Sequence, residues 1–97
     1  MAHDRLEPLR QRFRERCAED LSVLKQARGR PNGLAEDEVK SRIHRLSGLA
    51  GGLGFSELSQ LAGVLDDQIA AQQPTEAGDI DRLEAELARV ASSGGAS

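Results

Sequence analysis

Apolar side chains return along the chain at spacings of three and four, the repeat that lines one face of an α-helix. Leu9, Phe13, Cys17, Leu21 and Leu24 form the first such stripe and predict a helix over roughly 8–28, with Leu6 extending it upstream. Val39, Ile43, Leu46, Ala50 and Leu53 predict a second over 34–53. Phe55, Leu58, Leu61, Ala62, Leu65 and Ile69 predict a third over 55–72, and Ile80, Leu83, Leu87 and Val90 a fourth over 79–91. The prolines punctuate this pattern, because proline lacks the helix donor and clashes with the preceding turn. Pro8 suits a first helical turn, Pro31 lies in a Gly-Arg-Pro-Asn-Gly turn, and Pro74 lies in the connection after Gln73. Glu36, Asp37 and Glu38 place negative charge where the second helix dipole is positive. Gly54 is the joint at which a left-handed residue ends one helix before the next begins. Asp4 and Glu7 form a candidate capping box, with a separate short turn over 2–7 as the alternative.

No stretch alternates with period two or is enriched in β-branched residues, so no sheet is predicted. Four helices with short connections define an all-α fold, an antiparallel up-down-up-down four-helix bundle, with room for a short extra helical turn at its N-terminus. The expected organisation is one bundle over 1–92 and a flexible tail over 93–97. Ninety-seven residues leave no room for separate substrate and cofactor domains. The single cysteine, Cys17, precludes an intrachain disulfide and agrees with a reducing compartment. On the core stripe it reads as a small hydrophobe.

Charge and composition narrow the function. The apolar run from Leu46 to Phe55 is about half the ~20 residues a bilayer requires, and charged residues from Asp4 onward interrupt any secretory leader, so a cytoplasmic protein without membrane association is expected. The net charge is −3 and only Phe13 and Phe55 are aromatic, which argues against nucleic-acid binding. Residues 1–30 carry +3 and residues 31–97 carry −6. Met1 and the short tail suggest a free-standing protein, with a piece of a larger hybrid kinase as the alternative, and a monomer is expected. Metal binding has little support, since His44 has no second histidine one turn away.

One face of the second helix is unusual. With ~100° per residue, His44 falls roughly 140° from the centre of the core stripe, towards solvent. Its neighbours on that face are Ser47, Gly48, Gly51 and Gly52. Each mid-helix glycine costs about 0.8–1 kcal/mol relative to alanine, so three glycines require an offsetting role. Helix–helix contact would explain Gly51 or Gly52. Gly48 points away from the core, which leaves close approach by a partner.

The run His44-Arg45-Leu46-Ser47-Gly48, followed by Leu53-Gly54 and Leu58, resembles the histidine-containing phosphotransfer domain pattern, His-x-Leu-Lys-Gly before a small-residue stretch and an apolar-Gly pair. The resemblance spans about residues 9–70, since Phe13 and Leu21 also match apolar core positions of that family. It implies a helical bundle that accepts a phosphoryl group on His44 and exchanges it with aspartates of response-regulator receiver domains, upstream of which stands a sensor or hybrid histidine kinase. It implies no autonomous kinase activity and no cofactor bound by this chain, the Mg²⁺ belonging to the receiver. From below, the chemistry is sound: histidine's ordinary pKa of about 6.5 leaves a neutral, nucleophilic imidazole near pH 7.

The family's lysine is Ser47 here, and Lys40, one turn before His44, is the nearest replacement cation. Lys40, Arg42 and Arg45 form a candidate basic patch for an acidic receiver pocket, with Gly48 and Gly51 keeping the surface flat. On the third helix Asp66, Asp67 and Gln68 are candidates to orient the imidazole, Gln68 resembling the polar residue often near the family's histidine. His3 reads as inert. Plainer readings stand beside these: a solvated histidine, ordinary surface charges, and a non-catalytic domain that docks a receiver or kinase and inhibits or scaffolds it.

Overall fold

A computed structural model describes residues 5–93, which fold into four helices and, among those residues, no strand. They are α1 (Glu7–Arg28), α2 (Asp37–Gly52), α3 (Ser56–Ala70) and α4 (Ala77–Ser93). His3, the expected cap Asp4, most of the alternative 2–7 turn and residues 94–97 of the expected tail lie outside the described residues, whereas Ser93, expected in that tail, is the last residue of α4. α2 packs most closely on α3 and α1 on α4, with α3 against α4 completing an elongated bundle of 50 × 22 × 21 Å.

The apolar stripes face one another as their periodicity requires. Val39, Ile43, Leu46 and Ala50 from α2, Leu58, Ala62 and Leu65 from α3, and Ile80, Leu83, Leu87 and Val90 from α4 are buried. Removing each leucine from water contributes roughly 1.5–3 kcal/mol. The Phe13 and Phe55 rings stack at 5.4 Å between centroids near the α2–α3 turn.

α1 departs from the expected stripe at both polar and apolar positions. Leu9 is exposed and Leu21 only half-buried. Leu9 precedes Arg10, whose Nε donates to the Leu53 carbonyl beyond the end of α2, so no full helix turn stands across from it. The buried position between Cys17 and Leu24 is instead Asp20, 2% exposed. Its carboxylate accepts from Arg42 Nη1 at 2.7 Å, and Arg42 Nη2 also reaches Glu19 and Glu38, each at 3.1 Å. Hydrogen bonding to Asp20, reinforced by Glu38, holds the Arg42 guanidinium above its ordinary pKa. A buried carboxylate without such a partner costs several kcal/mol. Arg42 is therefore a clasp between α1 and α2 and does not belong to the expected basic patch. Burial, with the nearby charge of Asp20 adding to it, pushes the Cys17 thiol up to about 12.

The second helix begins later than its pattern suggests. Gly33–Ala35 form a 3₁₀ turn, Glu36 is extended, and α2 starts at Asp37. Gly33 explains the break: a Cβ there would lie 1.9 Å from the Ala27 carbonyl oxygen, so only glycine lets the loop close on α1. At the other end, Gly54 is left-handed at φ 93°. Phe55 N–H donates to the Ala50 carbonyl at 2.8 Å and Gly54 N–H to that of Gly51 at 3.3 Å, the paired bonds of a Schellman stop. This turn sends α3 back along α2.

Candidate functional site

The α2–α3 hairpin carries His44 and determines what surrounds it. The His44 side chain is 80% exposed, and its Nδ1 lies 3.0 Å from Asp66 Oδ2 on α3. An ionised carboxylate only accepts, so this contact places the ring proton on Nδ1 and leaves the Nε2 lone pair available in the neutral ring. Nε2 has no partner among the described residues. Ser41, Lys40, Ile69, Ala70 and Gln72 complete a shallow cleft with this pair. Lys40 is one turn from His44 and its nearest carboxylate is Asp37 at 3.8 Å.

Gly48 and Gly52 open onto free space, where an added Cβ would meet nothing within 4 Å. Gly51 differs from the flat surface expected of it. Its added Cβ would stand 3.2 Å from Ser59 Oγ, and that hydroxyl donates to the Ser47 carbonyl at 2.7 Å. The missing side chain at Gly51 thus lets α3 approach α2. Ser47 is half-buried and faces α3, its Oγ 3.5 Å from where a Cβ on Gly63 would be. Arg45 is half-buried and holds no carboxylate among the described residues.

Gln68 is not brought to the histidine. Its Nε2 donates to Asp79 Oδ2 on α4 at 3.0 Å, and Asp79 also accepts from Arg82 at 2.7 Å. The ~200° that separates residues 66 and 68 on a helix explains why only one can face α2. Asp67 is exposed, leaving Asp66 as the ring's partner. Asp20 and the small pair Ser59 and Gly63 went unread in the sequence, and Gly33 was read only as the end of a turn. An acidic residue at a stripe position was the one available signal, for Asp20.

An exposed imidazole with one nitrogen anchored, set on a side-chain-poor helix of a four-helix bundle, is an arrangement suited to receiving a group from another protein. The family model of the Hpt domain matches residues 8–93, nearly the whole chain, and the chain belongs to that family. It is thereby a histidine phosphotransfer domain of phosphorelays, a family whose members act as phosphocarriers between kinases and response regulators. Neither a curated protein nor a solved structure matches the chain significantly. No helix among the described residues is long and apolar enough to cross a membrane.

Proposed function

We propose that this chain carries phosphoryl groups on His44 Nε2, exchanging them with the aspartates of response-regulator receiver domains. The observation that carries this reading is the exposed His44 ring held through Nδ1 by Asp66 beside the open Gly48. In the forward step, Nε2 attacks the phosphorus of a receiver's aspartyl phosphate in line. The N–P bond forms as the acyl O–P bond breaks, and the carboxylate returns to the receiver. The Nδ1 proton stays in place, so positive charge develops on the ring facing the Asp66 carboxylate, a fixed group aimed where charge appears. In the reverse step the same proton lets the ring leave as neutral imidazole.

Lys40 is the cation placed to screen the transferred group in the absence of a lysine at Ser47. Mg²⁺ held by the receiver would supply charge neutralisation at the phosphoryl oxygens. Arg45 and Gly48 lie on the docking side, whereas Gly51 and Ser47 act through the α2–α3 contact and Gln68 through α4.

Incubation with a phosphorylated receiver domain and Mg²⁺ tests the reading. Acid-labile, base-stable phosphate should appear on the wild-type chain and be absent from His44→Gln, whose amide cannot accept a transferable phosphoryl group. Labelling that persists in the variant would overturn the assignment. Stable complex formation with no label would instead favour the docking-only reading.

A further inference from the structure

The two seams that flank His44 differ in charge, the α2–α3 seam setting the single cation Lys40 against Asp37 and Asp66. α3 contains no lysine or arginine; Asp66 faces the histidine from its edge, and Asp67 is exposed on its outer face. On the α1 side the balance reverses. Most arginines of the molecule are committed to internal pairs, such as Arg28 with Asp81 and Glu84, Arg30 with Glu36, and Arg89 with Glu86. Arg12, Arg16 and Arg45 hold no carboxylate among the described residues.

Helical phase and register bring these three together. The Arg42–Asp20 pair and the bond from Arg10 to the Leu53 carbonyl fix α1 antiparallel to α2 at two levels. Between those levels Arg45 stands about opposite Arg16, and Leu49 about opposite Phe13. Arg45 and Leu49 lie ~130° and ~90° from the α2 core direction, on the side of Arg42, while Arg12 and Arg16 lie ~100° and ~60° from the α1 core direction, on the side of Asp20. Leu49, at 45% exposed, is one of the few large apolar side chains left to solvent. The acids at the far end of this seam, Glu19 and Glu38, are already held by Arg42.

We infer that the α1–α2 seam carrying Arg12, Arg16, Arg45 and Leu49 is the surface that receives the acidic face of a receiver domain. The inference rests on the phosphocarrier reading for the identity of the partner. A receiver presents its acceptor aspartate among the carboxylates that hold Mg²⁺. Those carboxylates would be repelled by Asp66 and Asp67 if the body of the partner lay over α3, and are attracted if it lies over α1. Leu49 supplies the apolar centre and the arginines a charged rim, which steers encounter and fixes orientation. The partner then reaches His44 by crossing Gly48 and Gly52, which are open.

The test titrates the ¹⁵N-labelled full chain with purified receiver domains in Mg²⁺, alongside Arg12→Glu/Arg16→Glu and Arg12→Lys/Arg16→Lys. Circular dichroism and thermal unfolding verify that each variant keeps the fold. Wild-type binding should perturb α1 and α2 amides together and weaken with salt. Double reversal should slow association at low ionic strength by about tenfold or more, and the lysine pair should restore most of it. Binding that is indifferent to the reversal, perturbations confined to α2 and α3, no binding by any receiver, or self-association of the chain through this patch would each overturn the inference. Arginine-dependent binding without phosphate on His44 would uphold the surface while removing the carrier function.

Discussion

His44 Nδ1 and Asp66 Oδ2 meet at 3.0 Å across the α2–α3 seam, though 22 residues separate them in the chain. The turn at Gly54 makes the meeting possible by returning α3 antiparallel to α2. The contact leaves the distal nitrogen without a partner among the described residues and sets a carboxylate beside the ring; in the proposed mechanism these are the nucleophile and the charge that faces the ring as it becomes positive.

Replacing the carboxylate should therefore affect chemistry more than folding. Asp66→Asn removes the charge and can turn its NH₂ towards the ring, favouring the opposite tautomer. Phosphotransfer from a receiver should fall by at least roughly tenfold, about 1.4 kcal/mol of barrier. Unfolding should shift by no more than ~0.5 kcal/mol, since the pair lies at the surface. Rapid-quench transfer kinetics and ¹⁵N NMR of the His44 tautomer check both parts. Wild-type rates with an altered tautomer would show that the charge plays no role.

Gly48 and Gly51, three residues apart, should respond differently to alanine. Gly48→Ala meets open space and should stabilise the bundle by up to about 1 kcal/mol. Gly51→Ala presses on Ser59 Oγ, which is held by the Ser47 carbonyl, so its gain should be smaller or negative. Gly48→Gln should fold well yet transfer slowly, because a displacement of ~1 Å from near-attack geometry costs about a hundredfold. Urea unfolding and transfer assays on all three variants separate packing from docking. Equal stabilisation at both positions would contradict the contact at Ser59.

Loss of Arg42 should be among the most damaging surface changes. Arg42→Met strands the Asp20 carboxylate in the core, and breaking a buried pair in this way costs about 3–5 kcal/mol. Glu19→Gln, at the exposed edge of the same cluster, should cost less than ~1 kcal/mol. Denaturant titrations should place the two midpoints far apart; comparable midpoints would mean that Asp20 is satisfied without Arg42.

The buried Cys17 thiol yields an alkaline prediction. Its folded pKa of about 12 lies above the ordinary thiol value, so the unfolded chain loses its proton first and stability declines as pH rises from about 9 towards 12. The slope is at most about 1.4 kcal/mol per pH unit. Cys17→Ala should be less stable at pH 8 through its cavity, yet show a shallower alkaline decline. Native protein should resist alkylation at pH 8, and modification as fast as in urea would place the thiol at the surface.

Much of this structure was legible from periodicity. The stripes of α2, α3 and α4 name almost every buried residue of those helices, because spacing on a helix determines the face a side chain occupies. The exposure of His44 and the left-handed Gly54 follow from the same reasoning. Leu9 was misjudged because periodicity does not show where the opposite helix ends, and Asp20 went unread because periodicity does not show that an arginine 22 residues away neutralises a buried acid. Gln68 was misplaced by two residues of phase. Phase allowed helix contact at Gly51 or Gly52 but not at Gly48; that the contact falls at Gly51 depends on the position of Ser59, which no local pattern contains.

The glycines also bear on how this domain would change under selection. Gly33 and Gly54 are locked by backbone geometry, one by the Ala27 carbonyl and the other by its left-handed φ. Gly48 and Gly52 are held by nothing among the described residues. A library screened only for heat resistance would retain the first pair and fill the second. On the present reading it would recover hardier bundles that no longer pass signals, with the damage confined to residues whose replacement improves the fold.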